Sequence, residues 1–143
     1  MSPGQADPAV VRRHLLALDA AVQRLRRHAG GPLSALAADS DVQWVAERGL
    51  QLCAENAVDV ATHLAASAGR DTPDYASAID LLGELGILPT EFARRFRGVA
   101  GFRNVLVHGY LRVELERVHE LRSSGLDDFV EFAGHIERFL QRS

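Results

Sequence analysis

Apolar residues recur at intervals of three and four along most of this 143-residue chain, which is the period of an amphipathic α-helix. The first such stretch follows Asp7 and Pro8, a cap and first-turn pair, and ends near Gly30 and Gly31. Ala and Leu are abundant and β-branched runs are short, which favours helices over strands. The sequence therefore predicts an all-α, up-and-down bundle of about five to six helices.

Caps, glycines and prolines predict where the later helices begin and end. Gly31 and Pro32 begin a loop, Gly86 ends a helix, and Gly125 separates the last two helices. The expected ranges are 39–68, 75–85, 89–110, 113–121 and a last helix from 126 onward. The apolar positions predicted for the second helix are Trp44, Val45, Leu52, Val58 and Leu64. Those predicted for the last helix are Leu126, Phe129, Phe132, Ile136, Phe139 and Leu140.

The chain shows no repeat, low-complexity segment or linker, which predicts one domain over residues 1–143 with a flexible stretch at 1–7. The single cysteine, Cys53, has apolar neighbours and is expected to be a small core residue rather than a nucleophile. The first residues are short and polar, unlike a signal peptide, and no apolar run approaches the roughly 20 residues that span a bilayer. A cytoplasmic protein that does not enter a membrane is expected.

Positive charge is concentrated in one stretch of an acidic chain. The net charge is −3, which argues against a protein that coats nucleic acid by bulk charge. All sixteen basic residues are arginines, whose planar forks can hold phosphate at two points. Residues 91–112 contain one acid, Glu91, and five arginines: Arg94, Arg95, Arg97, Arg103 and Arg112. This cluster predicts a specific anion site, and a solvated helix face is the alternative.

The predicted helix over 89–110 has two stripes. Its core stripe is Phe92, Phe96, Val99, Phe102 and Leu106, and its second stripe is Arg97, Gly101, Asn104 and His108. Gly98 and Gly101 leave room for a ligand or a second backbone. Arg103 and His108 are about 140° apart on an ideal helix, so they do not converge on one atom. Two facing copies of the helix, or a distortion near Gly109, would bring them together, which favours a homodimer with a shared site.

Each candidate residue also has a structural interpretation. His108 could be a partly buried histidine bonded to a carbonyl, and Asn104 could make a local cap. Tyr110 could be a half-buried aromatic with its hydroxyl in water. Arg103 could pair with a glutamate of the second helix, for which Glu47 and Glu55 are the candidates.

The order of these residues is more specific than any one of them. Arg103, His108 and Tyr110 form the pattern Arg-x4-His-x-Tyr, preceded by Gly101. This pattern resembles the HepT-like toxins of the HEPN superfamily, which are ribonucleases paired with a minimal nucleotidyltransferase antitoxin. The run over 44–61 is similar to that family's long second helix, and the turn over 86–89 also fits. The resemblance covers roughly residues 8–140.

The resemblance implies a metal-independent endoribonuclease toxin of a type VII-like toxin–antitoxin system, with no cofactor. Arg103 would hold the scissile phosphate, His108 would act as general base or acid, and Asn104 would orient the phosphate or the histidine. The expected product is a 2′,3′-cyclic phosphate. The arginines at 94, 95, 97 and 112 would contact RNA phosphates. The acids are scattered, and no histidine pair has zinc-ligand spacing.

The resemblance also implies partners and regulation. Family members are dimers with clefts at the shared interface, and their nucleotidyltransferase partner attaches AMP to the motif tyrosine. In this chain that residue would be Tyr110, and the added bulk and negative charge would repel an RNA phosphate. Gly109 occupies a position where relatives commonly have larger polar residues. The histidines expected to be ordinary helix-face residues are His14, His28, His63, His119 and His135.

Two other functions fit the same residues. A non-catalytic helical module that binds nucleotide or RNA as the partner of a nucleotidyltransferase would use the basic stripe without cutting RNA. A structural helical dimer would use Arg103 and His108 only for interface hydrogen bonds. An RNA cleavage assay distinguishes the ribonuclease from both of these alternatives.

Overall fold

The computed structural model describes residues 6–28, 31–101 and 115–142, and every regular element in these ranges is helical. The helices are α1 (Pro8–His28), α2 (Leu33–Ala38), α3 (Ser40–Ser67), α4 (Tyr75–Glu84), α5 (Thr90–Phe96), α6 (Leu115–Glu120) and α7 (Leu126–Arg142). A further helical segment begins at 98 and is described to 101, and a π-helical turn, Leu121–Gly125, joins α6 to α7. The predicted all-α fold is confirmed.

Helix α3 is the centre of the bundle and packs along α1. Asp39 caps its first turn, because the carboxylate accepts hydrogen bonds from the backbone N–H groups of Asp41 and Val42. The two helices approach closely at Gly49, where an added Cβ would lie only 2.5 Å from Cδ2 of Leu25. A side chain at 49 would therefore have to displace the buried side chain of Leu25.

Four aromatic side chains join α5 to α7. The ring of Phe96 stacks on Phe92 of its own helix at 5.0 Å and on Phe132 of α7 at 4.8 Å, between ring centroids. Phe129 meets the same ring edge-on at 5.7 Å. The predicted core stripe is confirmed at Phe92, Phe96 and Val99, which are buried. Its other members, at 102 and 106, lie outside the described residues.

Two predicted helix boundaries are wrong. The expected loop after Pro32 contains α2, which the fold holds because Leu36 is fully buried and its carbonyl accepts a hydrogen bond from Nε2 of Gln43 (3.0 Å). Gly125 does not interrupt the helical path, because the π-helical turn joins α6 to α7 without a break. A glycine is tolerated within a helix at a modest cost and does not by itself end one.

The core of α3 differs from its predicted apolar positions at one residue. Trp44 is 69% exposed, whereas Ala46 and Leu50 are fully buried. Further along the helix, Val58 and Leu64 are buried as predicted. The alanines pack α3 tightly, so small residues rather than the tryptophan form its contact surface.

Cys53 lies in the centre of the bundle and is fully buried, which confirms the prediction of a core residue. Burial raises the pKa of its thiol to about 12. The thiolate, which is the nucleophilic form, is therefore not populated at neutral pH. None of the helices in the described ranges is long and apolar enough to cross a membrane.

Candidate functional site

The residues predicted to carry the chemistry lie in a segment over 102–114, which is outside the described residues. This motif segment contains Arg103, Asn104, His108, Tyr110 and Arg112. Their convergence, and a pairing of Arg103 with a glutamate of α3, therefore stay predictions. The chain is packed on both sides of the segment, since Val99 and Ala100 before it and Val118 after it are buried.

The helix that leads into the motif segment is interrupted. Helix α5 ends at Phe96, Arg97 lies in a turn, and helical structure resumes at 98. The N–H of Ala100 donates to the carbonyl of Arg97 at 3.2 Å, a spacing of three residues rather than four. The prediction of one unbroken helix from 89 is therefore wrong at Arg97, and the angles expected for an ideal helix do not carry across it.

A groove of about 210 Å³ is lined by residues that come shortly before and shortly after the motif segment in the chain. Gly98 and Val99 form one side, and Arg117 of α6 and Ser124 of the π-helical turn form the other. No described atom outside the local backbone lies within 4 Å of a Cβ placed on Gly98 or Gly101. Among the described residues, nothing fills the space beside these two glycines, and the room predicted for a ligand there stays a prediction.

Arg97 is ion-paired with Asp80 of α4. Its Nε lies 3.0 Å from Oδ1 of Asp80 and its Nη2 lies 3.2 Å from Oδ2, which is a bidentate interaction between guanidinium and carboxylate. This hydrogen bonding with Asp80 raises the pKa of Arg97. Asp74 caps α4 by accepting from the backbone N–H of Ser77 at 2.7 Å. Hydrogen bonds with the side chain and backbone of Ser77, together with the charge of Arg97, lower the pKa of Asp74.

Arg95 is held by α7. Its Nη2 lies 3.3 Å from Oδ1 of Asp128 and 3.4 Å from Oε1 of Glu131, and its guanidinium carbon lies 5.2 Å from the ring centre of Phe92. The sequence could not show this pairing, because the carboxylates are more than thirty residues away along the chain.

Arg94 has a carboxylate within its own helix. Its Nη2 lies 3.3 Å from Oε1 of Glu91, the one acid counted in the stretch over 91–112. All three described arginines of that stretch, Arg94, Arg95 and Arg97, are therefore ion-paired. We call them the α5 arginine group.

Arg122, in the π-helical turn, is a buried arginine that the sequence did not predict. It donates from Nη2 to the carbonyls of Gly31 (2.8 Å) and Pro32 (3.0 Å) and to Nδ1 of His119 (3.2 Å). Burial lowers the pKa of Arg122. This side chain ties the start of α2 to the turn that borders the groove. Nothing in the sequence distinguishes it from an ordinary helix-face arginine.

Two histidines expected to be ordinary helix-face residues make contacts between segments. Nδ1 of His14 lies 2.9 Å from Oδ1 of Asn56, which joins α1 to α3. Nε2 of His63 accepts from the N–H of Asp7 at 3.2 Å and so holds the beginning of α1. In the part of the chain that the structure describes, no group of three or more His, Cys, Asp or Glu residues is placed to hold a metal ion.

Comparison with known proteins shows the family. The model of the ribonuclease HepT-like family matches residues 18–136, a range that includes the whole motif segment. The chain belongs to the HepT-like ribonuclease family. Among its relatives, the tRNA nuclease HepT of Aphanizomenon flos-aquae is 24% identical over 136 residues, 94% of this chain and 92% of that protein. A candidate RNase of Archaeoglobus fulgidus is 34% identical over 88 residues, 62% of this chain and 61% of that protein, less than two thirds of its length.

Solved structures share the fold. A toxin–antitoxin complex with AMP-PNP contains a chain with a TM-score of 0.81 and 21% identity, covering 91% of this chain and 98% of that one. The tri-AMPylated HEPN toxin of Shewanella oneidensis, in complex with its MNT antitoxin, has a TM-score of 0.80, 21% identity and coverages of 90% and 97%. YutE, a cytosolic protein of Bacillus subtilis, has a TM-score of 0.81, 14% identity and coverages of 96% and 92%.

Proposed function

We propose that this chain is a metal-independent endoribonuclease toxin of a type VII-like toxin–antitoxin system and that Arg103, Asn104 and His108 cut its RNA substrate. One observation carries the proposal: the family match over 18–136 contains Arg-x4-His-x-Tyr in a single ordered run. The relative named as a tRNA nuclease, which this chain covers over most of its length, supports the assignment to RNA.

The chemistry needs only an arginine, a histidine, water and the RNA itself. The 2′-hydroxyl oxygen attacks the neighbouring phosphorus and loses its proton, the bond from phosphorus to the 5′-oxygen breaks, and that oxygen gains a proton. His108 makes one of these two proton transfers and water makes the other. Arg103 stabilises the charge that builds on the phosphate oxygens, and Asn104 orients the phosphate or the imidazole. The products are a 2′,3′-cyclic phosphate and a free 5′-hydroxyl.

The partner in this proposal is a minimal nucleotidyltransferase that transfers AMP to Tyr110. The likeness in fold to an AMPylated toxin bound to its MNT antitoxin supports this pairing. AMP on Tyr110 adds bulk and negative charge within seven residues of Arg103, which would exclude an RNA phosphate. A homodimer would place the guanidinium of one motif segment opposite the imidazole of the other.

The basic residues around the motif have a secondary role in this proposal. Arg112 and the α5 arginine group would contact RNA phosphates beyond the cleaved one. Because each member of the α5 arginine group already holds a carboxylate, it reaches RNA only by exchanging that partner. Their contribution to RNA affinity should therefore be smaller than that of an arginine without an ion pair.

Cleavage of RNA by purified variants tests the assignment. Arg103→Ala and His108→Ala should each lower the cleavage rate by about a hundredfold or more and keep the wild-type circular dichroism spectrum. Arg70→Ala and His28→Ala are matched controls, since both residues are exposed and lie outside the motif segment. Cleavage in EDTA and a 2′,3′-cyclic phosphate end would support the metal-independent step.

The same assay separates the other functions. Unchanged cleavage by both motif variants would refute the residue assignment. RNA binding by the wild type with no cleavage would favour the partner module of a nucleotidyltransferase.

Modification is tested by mass spectrometry after co-expression with a neighbouring nucleotidyltransferase gene. The wild-type chain should gain the mass of AMP on the peptide that contains Tyr110 and lose cleavage activity, and Tyr110→Phe should do neither. An AMP adduct on another residue would contradict the proposed acceptor.

A further inference from the structure

A cavity of about 540 Å³ lies at the end of the bundle where α7 meets the turn between α4 and α5. Its volume falls in the range of small-molecule sites, roughly 300–1,000 Å³. We call it the α7 cavity. Its described lining residues are all different from those of the groove and include none of the residues to which the proposed function assigns a role.

The two walls of the α7 cavity differ in chemistry. One wall is the turn after α4, in which Gly86 takes a φ of +75° and Ile87 and Leu88 are largely buried. The other wall carries Arg138 and Arg142, which are one helical turn apart on α7. Among the described residues, no aspartate or glutamate lines the cavity. A cavity lined by both apolar side chains and two guanidinium groups fits a ligand with one apolar and one anionic part.

Arg138 is held in position by hydrogen bonds. Its Nη2 lies 2.8 Å from Nδ1 of His135, and Nε2 of His135 lies 3.0 Å from Oε2 of Glu131. Because a guanidinium only donates, Nδ1 accepts and Nε2–H donates to the carboxylate. The imidazole ring packs against Phe92 at 5.1 Å and is little exposed. The guanidinium of Arg138 is therefore oriented by a packed histidine. Its charge has no carboxylate partner in the described part of the chain.

We propose that the α7 cavity binds a nucleotide unit, with the phosphate on Arg138 and Arg142 and the sugar or base against the turn around Gly86 and Ile87. Arginine forks match phosphate geometry at two points, and the apolar wall accepts a nucleoside. The phosphate can belong to an RNA chain or to a free nucleotide. The choice of RNA rests on the proposed ribonuclease function, whereas the site itself does not depend on which residues cut RNA.

Binding of a short 2′-O-methyl oligoribonucleotide, followed by fluorescence anisotropy, tests the RNA source. This probe has no free 2′-hydroxyl to attack phosphorus, so it measures binding without cleavage. The double variant Arg138→Gln/Arg142→Gln should bind it about tenfold more weakly. The slope of log affinity against log salt should fall by about 0.7 for each phosphate that the variant no longer neutralises. AMP binding, measured by calorimetry, tests the free nucleotide.

Arg24→Gln/Arg27→Gln is the matched control. These exposed arginines also occupy the end of a helix, so the double substitution changes net charge and helix-end electrostatics in the same way. Arg142→Gln alone serves if the double variant does not fold, because no hydrogen bond or ion pair holds the Arg142 side chain within the described residues.

Three outcomes are distinguishable. An RNA phosphate in the cavity would be supported if only the Arg138→Gln/Arg142→Gln variant binds the oligonucleotide more weakly and shows a shallower dependence of log affinity on log salt. Loss of AMP binding with unchanged oligonucleotide binding would support a free nucleotide. If both probes bind both double variants equally, the proposal is overturned. Failure of the cleavage test on the motif variants would leave each of these results standing.

Discussion

The α5 arginine group and the arginines of the α7 cavity carry the same functional group in opposite electrostatic settings. Arg95 and Arg97 each meet carboxylates of another helix within 3.4 Å, whereas no described acid lines the α7 cavity. One carboxylate, Glu131, serves both regions, because Oε1 pairs with Arg95 and Oε2 orients His135 and through it Arg138. A dense run of arginine in a sequence thus does not show where a fold presents free positive charge.

The largest effect should come from the aromatic contact on which both regions depend. Phe96→Ala removes the ring that stacks on Phe92 and Phe132, and should lower the free energy of unfolding by about 3–5 kcal/mol. Urea denaturation gives the value. Val130→Ala, on the exposed side of α7, should change it by less than about 0.5 kcal/mol. Equal costs at the two positions would mean that the aromatic contact does not hold α5 against α7.

Arg95 and Arg142 should differ in their effect on stability. Arg95→Gln removes two ion pairs and a cation–π contact and should cost about 1 kcal/mol. Arg142→Gln should cost nearly nothing, because no described side chain pairs with it. Denaturation midpoints at low and high salt measure both, and the cost at Arg95 should shrink in high salt. A larger loss at Arg142 would reverse the comparison.

Releasing an arginine of the α5 group should raise RNA affinity slightly. Asp80→Asn removes the carboxylate that holds Arg97 and should strengthen binding of an uncleavable oligoribonucleotide by at most about fivefold. Asp127→Asn, which breaks the exposed ion pair with Arg26, is the control with the same change in charge. The same gain in both variants would show that net charge, not the release of Arg97, is responsible.

The smallest effect should be a pH dependence at the same corner of the molecule. The pKa of Asp74 is lowered from 3.8 in the folded chain, so its stabilisation is present above that value and is lost as pH falls through the lower, folded value. Asp74→Asn keeps a capping oxygen but does not titrate. Its unfolding midpoint should therefore fall less steeply than that of the wild type below pH about 4. Parallel acid profiles would contradict this role of Asp74.

The sequence predicted the helices whose signals are local. The beginning of α3 near Asp39, the stop at Gly86 and the apolar spacing of α7 each depend on neighbours within a few turns, and the structure confirms all three. Trp44 was misplaced because spacing alone does not say which apolar stripe faces the bundle when alanines can pack more closely. The order Arg103, His108, Tyr110 identified the family that the comparisons show, while the roles of these residues stay a proposal.

By itself, then, the sequence determined the helical class, the boundaries of α3 and α4 and the family, because periodicity, turn residues and motif order are properties of the chain. Only the tertiary structure decided which arginines are neutralised and which line a cavity. Asp80, Asp128 and Glu131 are distant from the α5 arginine group along the chain and reach it only when α4 and α7 pack beside α5. Ion pairing depends on distance in space, and packing of the helices sets that distance.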